Sequence, residues 1–445
     1  MQLDDDVTLP PDTEIAMADA FLSEHGDDWR FCAQRGSWLR WNGHRWLWDE
    51  KRAVFKATKE VVRRVASVTN DPKKLATLGK VSSVERLVAC EPRIAVLLTD
   101  LDRDPGILNT PGLAVDLDSG LSRENLRKDL CSKCTTEAPT PPGTRSELWS
   151  RFLDRVTHGD AELVAYLQRV AGYALTGSVK EHAIFFVYGT GQNGKGVFIN
   201  ALSYAMGDYA AVAAMTTFTE QKHEGHPTDL AKLVGARLAV AQETEEGRAW
   251  AEAKLKQLTG GDRLTARFMC RDFFDFDPTF KVLIAGNHKP VLRNVQKAER
   301  RRFQIIPFTA TIPDEERDPD LLDKLKAEAG TILRWALDGT AEWRRIGLAP
   351  PPRVRDATEA YFNAEDGFGE WLTDNFELRL EDPDAWEKNA DVWARWVERC
   401  KADGEEPGSK KALSKKLEQR GLGVGEKAAG QRVVKGLRIR RGPTD

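Results

Sequence analysis

The feature that most restricts this chain is the apolar run Ile184-Phe185-Phe186-Val187-Tyr188, followed at once by Gly189-Thr190-Gly191-Gln192-Asn193-Gly194-Lys195-Gly196-Val197 and a helix-compatible stretch to Met206. A strand, a glycine-rich turn and a helix in that order let backbone N–H groups close around phosphate oxygens, while the helix N-terminus adds positive potential. Residues 189–197 are therefore a candidate phosphate cradle, with Lys195 supplying a point charge to the β- and γ-phosphates of ATP. The pattern departs at one place. Where Ser or Thr normally offers a hydroxyl to Mg2+, the chain has Gly196.

Short apolar runs alternate with helical stretches downstream, at Arg237–Ala241, Lys281–Ala285 and Phe303–Phe308. Strands spaced this way predict an α/β domain built on a parallel sheet. The second run ends in Gln242-Glu243-Thr244-Glu245-Glu246, and Glu243, coming soonest after the strand, is the candidate acid for polarising water and holding Mg2+. The next run leads to Asn287, placed to orient water against a γ-phosphate. Arg300-Arg301-Arg302 precede the last run, and an arginine reaching a neighbouring subunit's nucleotide would stabilise transition-state charge.

The flanks carry weaker signals. Residues 1–11 are acidic and proline-bearing and are expected to be a disordered arm. Trp38 to Trp48 contains Asn42-Gly43 between aromatic runs, which predicts a hairpin with a type I′ turn. Its four tryptophans are expected to pack the module rather than to stack on bases. From Thr58 to Thr176 the pattern reads as mainly helical, with Leu148, Trp149, Phe152, Leu153 and Val156 at helical spacing. Pro350-Pro351-Pro352 reads as a linker, Trp386–Cys400 as an amphipathic helix, and residues 409–445 carry 11 Lys and Arg against 3 Asp and Glu. The whole chain has a net charge of -3, so a nucleic-acid surface has to be local. Cys131 and Cys134 form a lone CxxC without a second ligand pair, so no metal is expected there. No run approaches the ~20 apolar residues of a membrane span and no signal-peptide pattern opens the chain, which points to the cytoplasm and to no membrane partner.

These motifs together resemble the phage and plasmid primase–helicase family, whose motor belongs to helicase superfamily 3, with the poxvirus primase–helicase a more distant relative. The resemblance runs through Gly36–Trp41, Leu108–Pro111, Val115–Leu117, Leu148-Trp149, Gly159-Asp160 and Gly172–Gly177 into the phosphate loop. It continues through Gly235–Leu238, Glu243, Lys256–Asp262, Ala266-Arg267, Gly286–Pro290, Arg301-Arg302 and Ile306–Phe308. It implies an AAA+-like ATPase fold, a homo-hexamer, and Glu243, Asn287 and Arg301 as Walker B acid, sensor and arginine finger, with Arg302 the alternative finger. It implies also that Lys256–Phe280 contacts single-stranded DNA inside the ring through Arg263, Arg267 and Arg271, the last at a hairpin tip. From about Glu365 onward the chain resembles a winged-helix-like domain, expected to bind duplex DNA. The implied organisation is residues 1–75 with the Trp-rich hairpin, 76–177 mainly helical, 178–349 the ATPase and 350–445 the linker and DNA-binding domain. The expected activity is ATP-dependent unwinding of DNA in phage or plasmid replication in a bacterial host, with primase or polymerase as separate partners and no primase activity in this chain. A nucleotide-gated initiator with weak ATPase activity is the alternative, since both Gly196 and Gln242 depart where magnesium is held.

Overall fold

A computed structural model of the chain describes residues 10–69, 71–221, 228–242, 248–292, 297–364, 366–402, 407–428 and 430–440. The expected acidic arm thus lies largely outside the described residues. Two compact units divide the chain, residues 1–359 and 360–445.

The first unit opens with α1 (Glu14–His25) and an antiparallel sheet of β1 (Trp29–Cys32), β2 (Ser37–Trp41) and β3 (Trp46–Trp48). Helices α2 (Ala53–Ser67), α3 (Pro72–Leu75) and α4 (Leu78–Ala89) follow. Phe21, Trp29, Trp38, Val61 and Val84 form the core between these helices and the sheet. The β2–β3 turn is displaced by one residue from the expected type I′ geometry. Only Gly43 takes a positive φ, of 104°, while the Asn42 side chain accepts from the backbone N–H of His44 and Arg45 at 3.1 and 2.9 Å. Asn42 thus caps the turn instead of occupying its left-handed position. Trp38 and Trp46 are buried, which agrees with the packing role.

The mainly helical reading fails between Cys90 and Ser146, where the described residues contain no α-helix. That stretch instead holds the antiparallel strands β4 (Ile107–Thr110), β5 (Leu113–Asp116) and β6 (Ser122–Arg123). Pro111-Gly112 form their first turn, with Gly112 at φ 80°, the backbone that a Pro-Gly pair favours in a type II turn. Helical order returns with α5 (Glu147–Thr157) and α6 (Ala161–Leu175), capped by the side chains of Ser146 and Asp160.

The sheet that follows is parallel throughout. Its strands are β7 (Ile184–Tyr188), β8 (Ala210–Val212), β9 (Leu238–Gln242), then β12 (Lys281–Gly286) and β13 (Phe303–Pro307), in the spatial order β13-β7-β12-β9-β8. Each connection carries a helix or a hairpin: α7 (Lys195–Met206) after β7, α8 (Thr228–Ala231) before β9, α9 (Glu252–Gly260) and the hairpin β10 (Leu264–Arg267) and β11 (Phe273–Phe276) before β12, and α10 (Lys297–Arg302) before β13. Central strands buried on both faces explain their near-continuous apolar sequences. On β7, Phe185 and Val187 join the core shared with α5 and α6, while Phe186 meets Trp250 edge-on at 5.9 Å. Beyond β13 come α11 (Leu321–Lys326) and α12 (Ala329–Ile346), which packs along α6 at Gly172 and Gly339. Thr340 Oγ1 donates to the Gly172 carbonyl at 3.0 Å, so the two helices touch backbone to backbone. The proline run is no linker. Pro352 starts α13 (Pro352–Ala364), the first helical turn being where a missing N–H costs nothing.

The second unit contains α14 (Gly367–Asn375), β14 (Phe376–Leu378), β15 (Trp386–Lys388), α15 (Asn389–Ala402), α16 (Lys410–Gln419), β16 (Gly423–Ala428), β17 (Gln431–Lys435) and β18 (Leu437–Ile439). Trp371, Phe376, Trp396, Leu417, Val434 and Leu437 make its core. Here the expected helix from Trp386 is shortened. Residues 386–388 pair antiparallel with Lys435, Val434 and Val433, and the cross-strand partner overrides the helical periodicity.

Candidate functional site

The carboxyl edge of the parallel sheet brings together the glycine-rich loop, Lys195 and Asn287, whereas Arg301 and Arg302 precede β13 at the opposite edge. Beyond β7 the chain turns through Gly191, Gln192 and Gly194, at φ 110°, 50° and 82°. Two of these left-handed positions are glycines, the residue that adopts them without strain. Gly189 answers a different need, because a Cβ there would collide with the Asn193 side chain and the Phe308 carbonyl. Its absence lets Asn193 fold back and donate from Nδ2 to Phe308 O at 2.8 Å, tying the loop to the end of β13. Thr190 and Gln192 are exposed at the rim, and Val197 is half-buried in the first turn of α7.

Lys195, the first residue of α7, is buried, and its ammonium donates to Gly189 O at 2.6 Å, Asn193 Oδ1 at 3.0 Å and Asn287 Oδ1 at 3.0 Å. All three acceptors are neutral. Burial pushes the lysine below its ordinary pKa. A cation held by neutral oxygens under a glycine-rich loop is electrostatically incomplete, and an anion entering the loop would complete it.

Asn287 reaches Lys195 because of strand order. β12 lies between β7 and β9, with Gly286 opposite Tyr188 and Ala285 opposite both Val187 and Gln242. A side chain just past β12 therefore stands between the ends of β7 and β9. Glu243 and Glu245 lie outside the described residues. Gly196 is exposed, and a Cβ built on it would meet nothing within 4 Å, so the position has room for a hydroxyl that the sequence does not supply. Among the described residues no cluster of three His, Cys, Asp or Glu could hold a metal. Cys131 and Cys134 are buried thiols; burial raises both, Cys134 to about 11.

The arginines divide. Arg301 is exposed on α10, whereas Arg302 is half-buried and donates to Thr259 Oγ1 at 3.1 Å. Of the hairpin arginines, Arg263 pairs with Asp277 at 3.3 Å, and Arg267 lies over the Phe273 ring at 4.9 Å. Arg271 is exposed in the turn, its backbone N–H bonded to Phe268 O at 3.1 Å, and its guanidinium lies against Gly36 of the N-terminal module.

Sequence reasoning passed over two buried cations at the opposite edge of the sheet. Arg237, just before β9, donates to Leu175 O and Ile107 O, each at 2.6 Å, fastening α6 and β4 to the sheet. Lys281 opens β12 fully buried, donates to Thr176 O and to Thr279 O at 3.1 Å, and lies over the Tyr173 ring at 4.9 Å. A charged residue opening an apolar strand was the available signal.

Comparison with known proteins places this architecture. Residues 18–158 match the family described as D5 N terminal like, and residues 187–302 match a family of unknown function (DUF5906). A protein of Acanthamoeba polyphaga mimivirus named "Putative helicase" is 22% identical over 348 residues, covering 73% of this chain and 35% of its own length. One of Frog virus 3, also so named, is 28% identical over 243 residues, covering 49% of this chain and 24% of its own. The chain thus spans about a third or less of these relatives. Two apo structures of the NrS-1 C-terminal region share the fold: one covers 95% of this chain and 99% of its own at TM-score 0.53 and 11% identity, the other 95% and 98% at TM-score 0.50 and 10% identity. The D5-like domain and the viral relatives named putative helicases support a kinship with phage and viral primase–helicases, and the fold is that of the NrS-1 C-terminal region.

Proposed function

We propose that this chain is the ATP-driven motor of a superfamily 3 DNA helicase acting in phage, plasmid or viral replication. The carrying observation is the Lys195 ammonium, buried among Gly189 O, Asn193 Oδ1 and Asn287 Oδ1 with no carboxylate partner among the described residues. The position at the carboxyl edge of an open α/β sheet is where such folds bind ligands. In this reading the N–H groups of residues 189–197 cradle the phosphates of ATP and Lys195 neutralises the β/γ charge. Phosphate oxygens then compete with Asn287 for Lys195, and the released amide is free to orient water. Strand order supports an AAA+-like assignment, since it sets the sensor strand between the loop strand and the acid strand.

Glu243 is the proposed acid, holding Mg2+ directly or through water. The described residues offer the ion no carboxylate cluster and no hydroxyl at position 196, so no step is assigned to it. The exposed Arg301 is the proposed finger across a homo-hexamer interface; Arg302 is already engaged within its own subunit. Arg263, Arg267 and Arg271 would meet single-stranded DNA, and the second unit, read as winged-helix-like, would bind duplex through the basic stretch 409–445. Primase and polymerase would be separate partners in the host cytoplasm. The open space at Gly196 favours one second reading, a nucleotide-gated initiator that binds ATP but turns it over slowly.

The test pairs two variants. Lys195→Ala should lose ATP binding and hydrolysis, whereas Glu243→Gln should bind ATP and hydrolyse it at least a hundredfold more slowly, on the order of what a misplaced catalytic group costs. Full turnover by Glu243→Gln would move the acid elsewhere, with Glu245 next.

A further inference from the structure

Beneath the β10–β11 turn, between it and the N-terminal module, lies a cavity of about 310 Å³, at the lower end of the range for small-molecule sites. Its walls include Arg35, Trp48, Lys133, Lys232, Phe268 and Asp102. The Arg35 guanidinium sits 4.0 Å from the Trp48 ring centroid and 5.7 Å from that of Phe268, so the cation bridges module and hairpin. Neither Arg35 nor Lys133 makes a side-chain hydrogen bond or ion pair among the described residues. Among the described residues the wall carries one carboxylate, Asp102, which is hydrogen-bonded to neutral donors and whose charge favours the Lys133 ammonium. Asp102 accepts from the backbone N–H of Ser132 at 2.8 Å, from that of Lys133 at 2.9 Å and from the Ser132 hydroxyl. Burial lowers the pKa of both Arg35 and Lys133, outweighing the opposing charge of Asp102 on Lys133 and of Glu50 on Arg35. Desolvated charge of this kind is costly unless an anion completes it.

We infer that this cavity binds one nucleotide of a single DNA strand, its phosphate between Arg35, Lys133 and Lys232 and its base against Trp48 and Phe268. Aromatic faces beside a cluster of three cations are the chemistry of sequence-tolerant single-strand binding. The site adjoins the turn that carries Arg271, so a strand touching the hairpin tip continues into it. The inference rests on the proposed DNA-motor function, which it deepens by giving the N-terminal module a grip on the strand.

The experiment uses the full chain without ATP and a fluorescein-labelled oligothymidine, titrated by anisotropy over a range of salt. Lys133→Met keeps the aliphatic stem that packs near Gly235 and removes only the charge; Lys232→Gln alters an exposed residue. Each should weaken binding several-fold, and the double variant should lower the salt slope by up to about 0.7, the value for the one phosphate that the site neutralises on a single strand. An oligonucleotide carrying 5-iodouracil should photocrosslink to Trp48 or Phe268. Competition by excess thymidine monophosphate separates a site for free nucleotide from one for a strand: release of the oligonucleotide by the monophosphate at comparable concentration would overturn the strand assignment. Unchanged affinity and slope in the double variant, with its melting temperature intact, would overturn the site. Nucleotide binding at Lys195, read separately with a fluorescent ATP analogue, shows whether the motor reading has failed instead.

Discussion

Two glycine-to-alanine changes of equal size should act in opposite directions. At Gly172, an added Cβ would lie well inside 3.0 Å of Thr340 N and of the Gly339 carbonyl, all backbone atoms of α12. Backbone cannot swing aside as a flexible side chain can, so α6 and α12 must separate by about an ångström, opening the core that includes Leu167, Val170, Ala336 and Leu337. Overpacking costs about 1–3 kcal/mol, at the upper end where backbone is displaced. The gain in helix propensity returns about 1 kcal/mol. A net loss of about 2 kcal/mol follows. At Gly196, by contrast, the Cβ meets nothing within 4 Å and the backbone is ordinary helix, so alanine gains up to about 1 kcal/mol. Urea denaturation followed by tryptophan fluorescence reads both through the midpoint for the first unit. A neutral Gly172→Ala, or a Gly196→Ala that destabilises more than Gly172→Ala, would refute the reasoning.

Three further outcomes are expected. Arg301→Ala should leave a folded protein without ATPase activity, with partial recovery on mixing with Lys195→Ala, whereas Arg302→Ala should cost about 1 kcal/mol of stability by removing the bond to Thr259; absence of recovery at every mixing ratio would remove the trans-acting arginine. Lys281 binds its proton less tightly folded than unfolded, so stability should rise with pH between its depressed folded pKa and the ordinary value of 10.5, and denaturation curves of Lys281→Met should show a smaller slope across that window. Removing residues 368–445 should weaken duplex binding and flatten its salt dependence by about 0.9 for every phosphate the shortened chain no longer neutralises, measured by anisotropy, while ATP hydrolysis without DNA survives.

The central sheet was the most legible part of the chain. Four of its five strands are apolar runs buried on both faces, and each stands within a residue or so of its expected place. β8 escaped because three edge residues, Ala210–Val212, carry no period. Loop chemistry was legible at Gly189 to Lys195, where glycine positions and a lysine have one compatible geometry. The clamp from Asn193 to Phe308 was not, because it joins residues 115 positions apart. As with β8, length hid β4 to β6, whose strands of four, four and two residues are too short to show a period of their own. In the second unit, strand pairing across 386–388 overrode a helical period that sequence alone had no reason to interrupt. That Arg302 is held while Arg301 stands exposed also needed tertiary structure, since it depends on the approach of Thr259.

The claim at the centre of this account is that nucleotide turnover at Lys195 drives movement along DNA. Its most direct test is ATP hydrolysis by the purified oligomer with and without single-stranded DNA, run beside strand displacement from a forked duplex. The account predicts hydrolysis stimulated by the single strand, unwinding that requires ATP, and loss of both in Lys195→Ala. ATP binding without stimulated hydrolysis, together with ATP-dependent DNA association and no strand displacement, would contradict the motor and leave a nucleotide-gated DNA-binding protein.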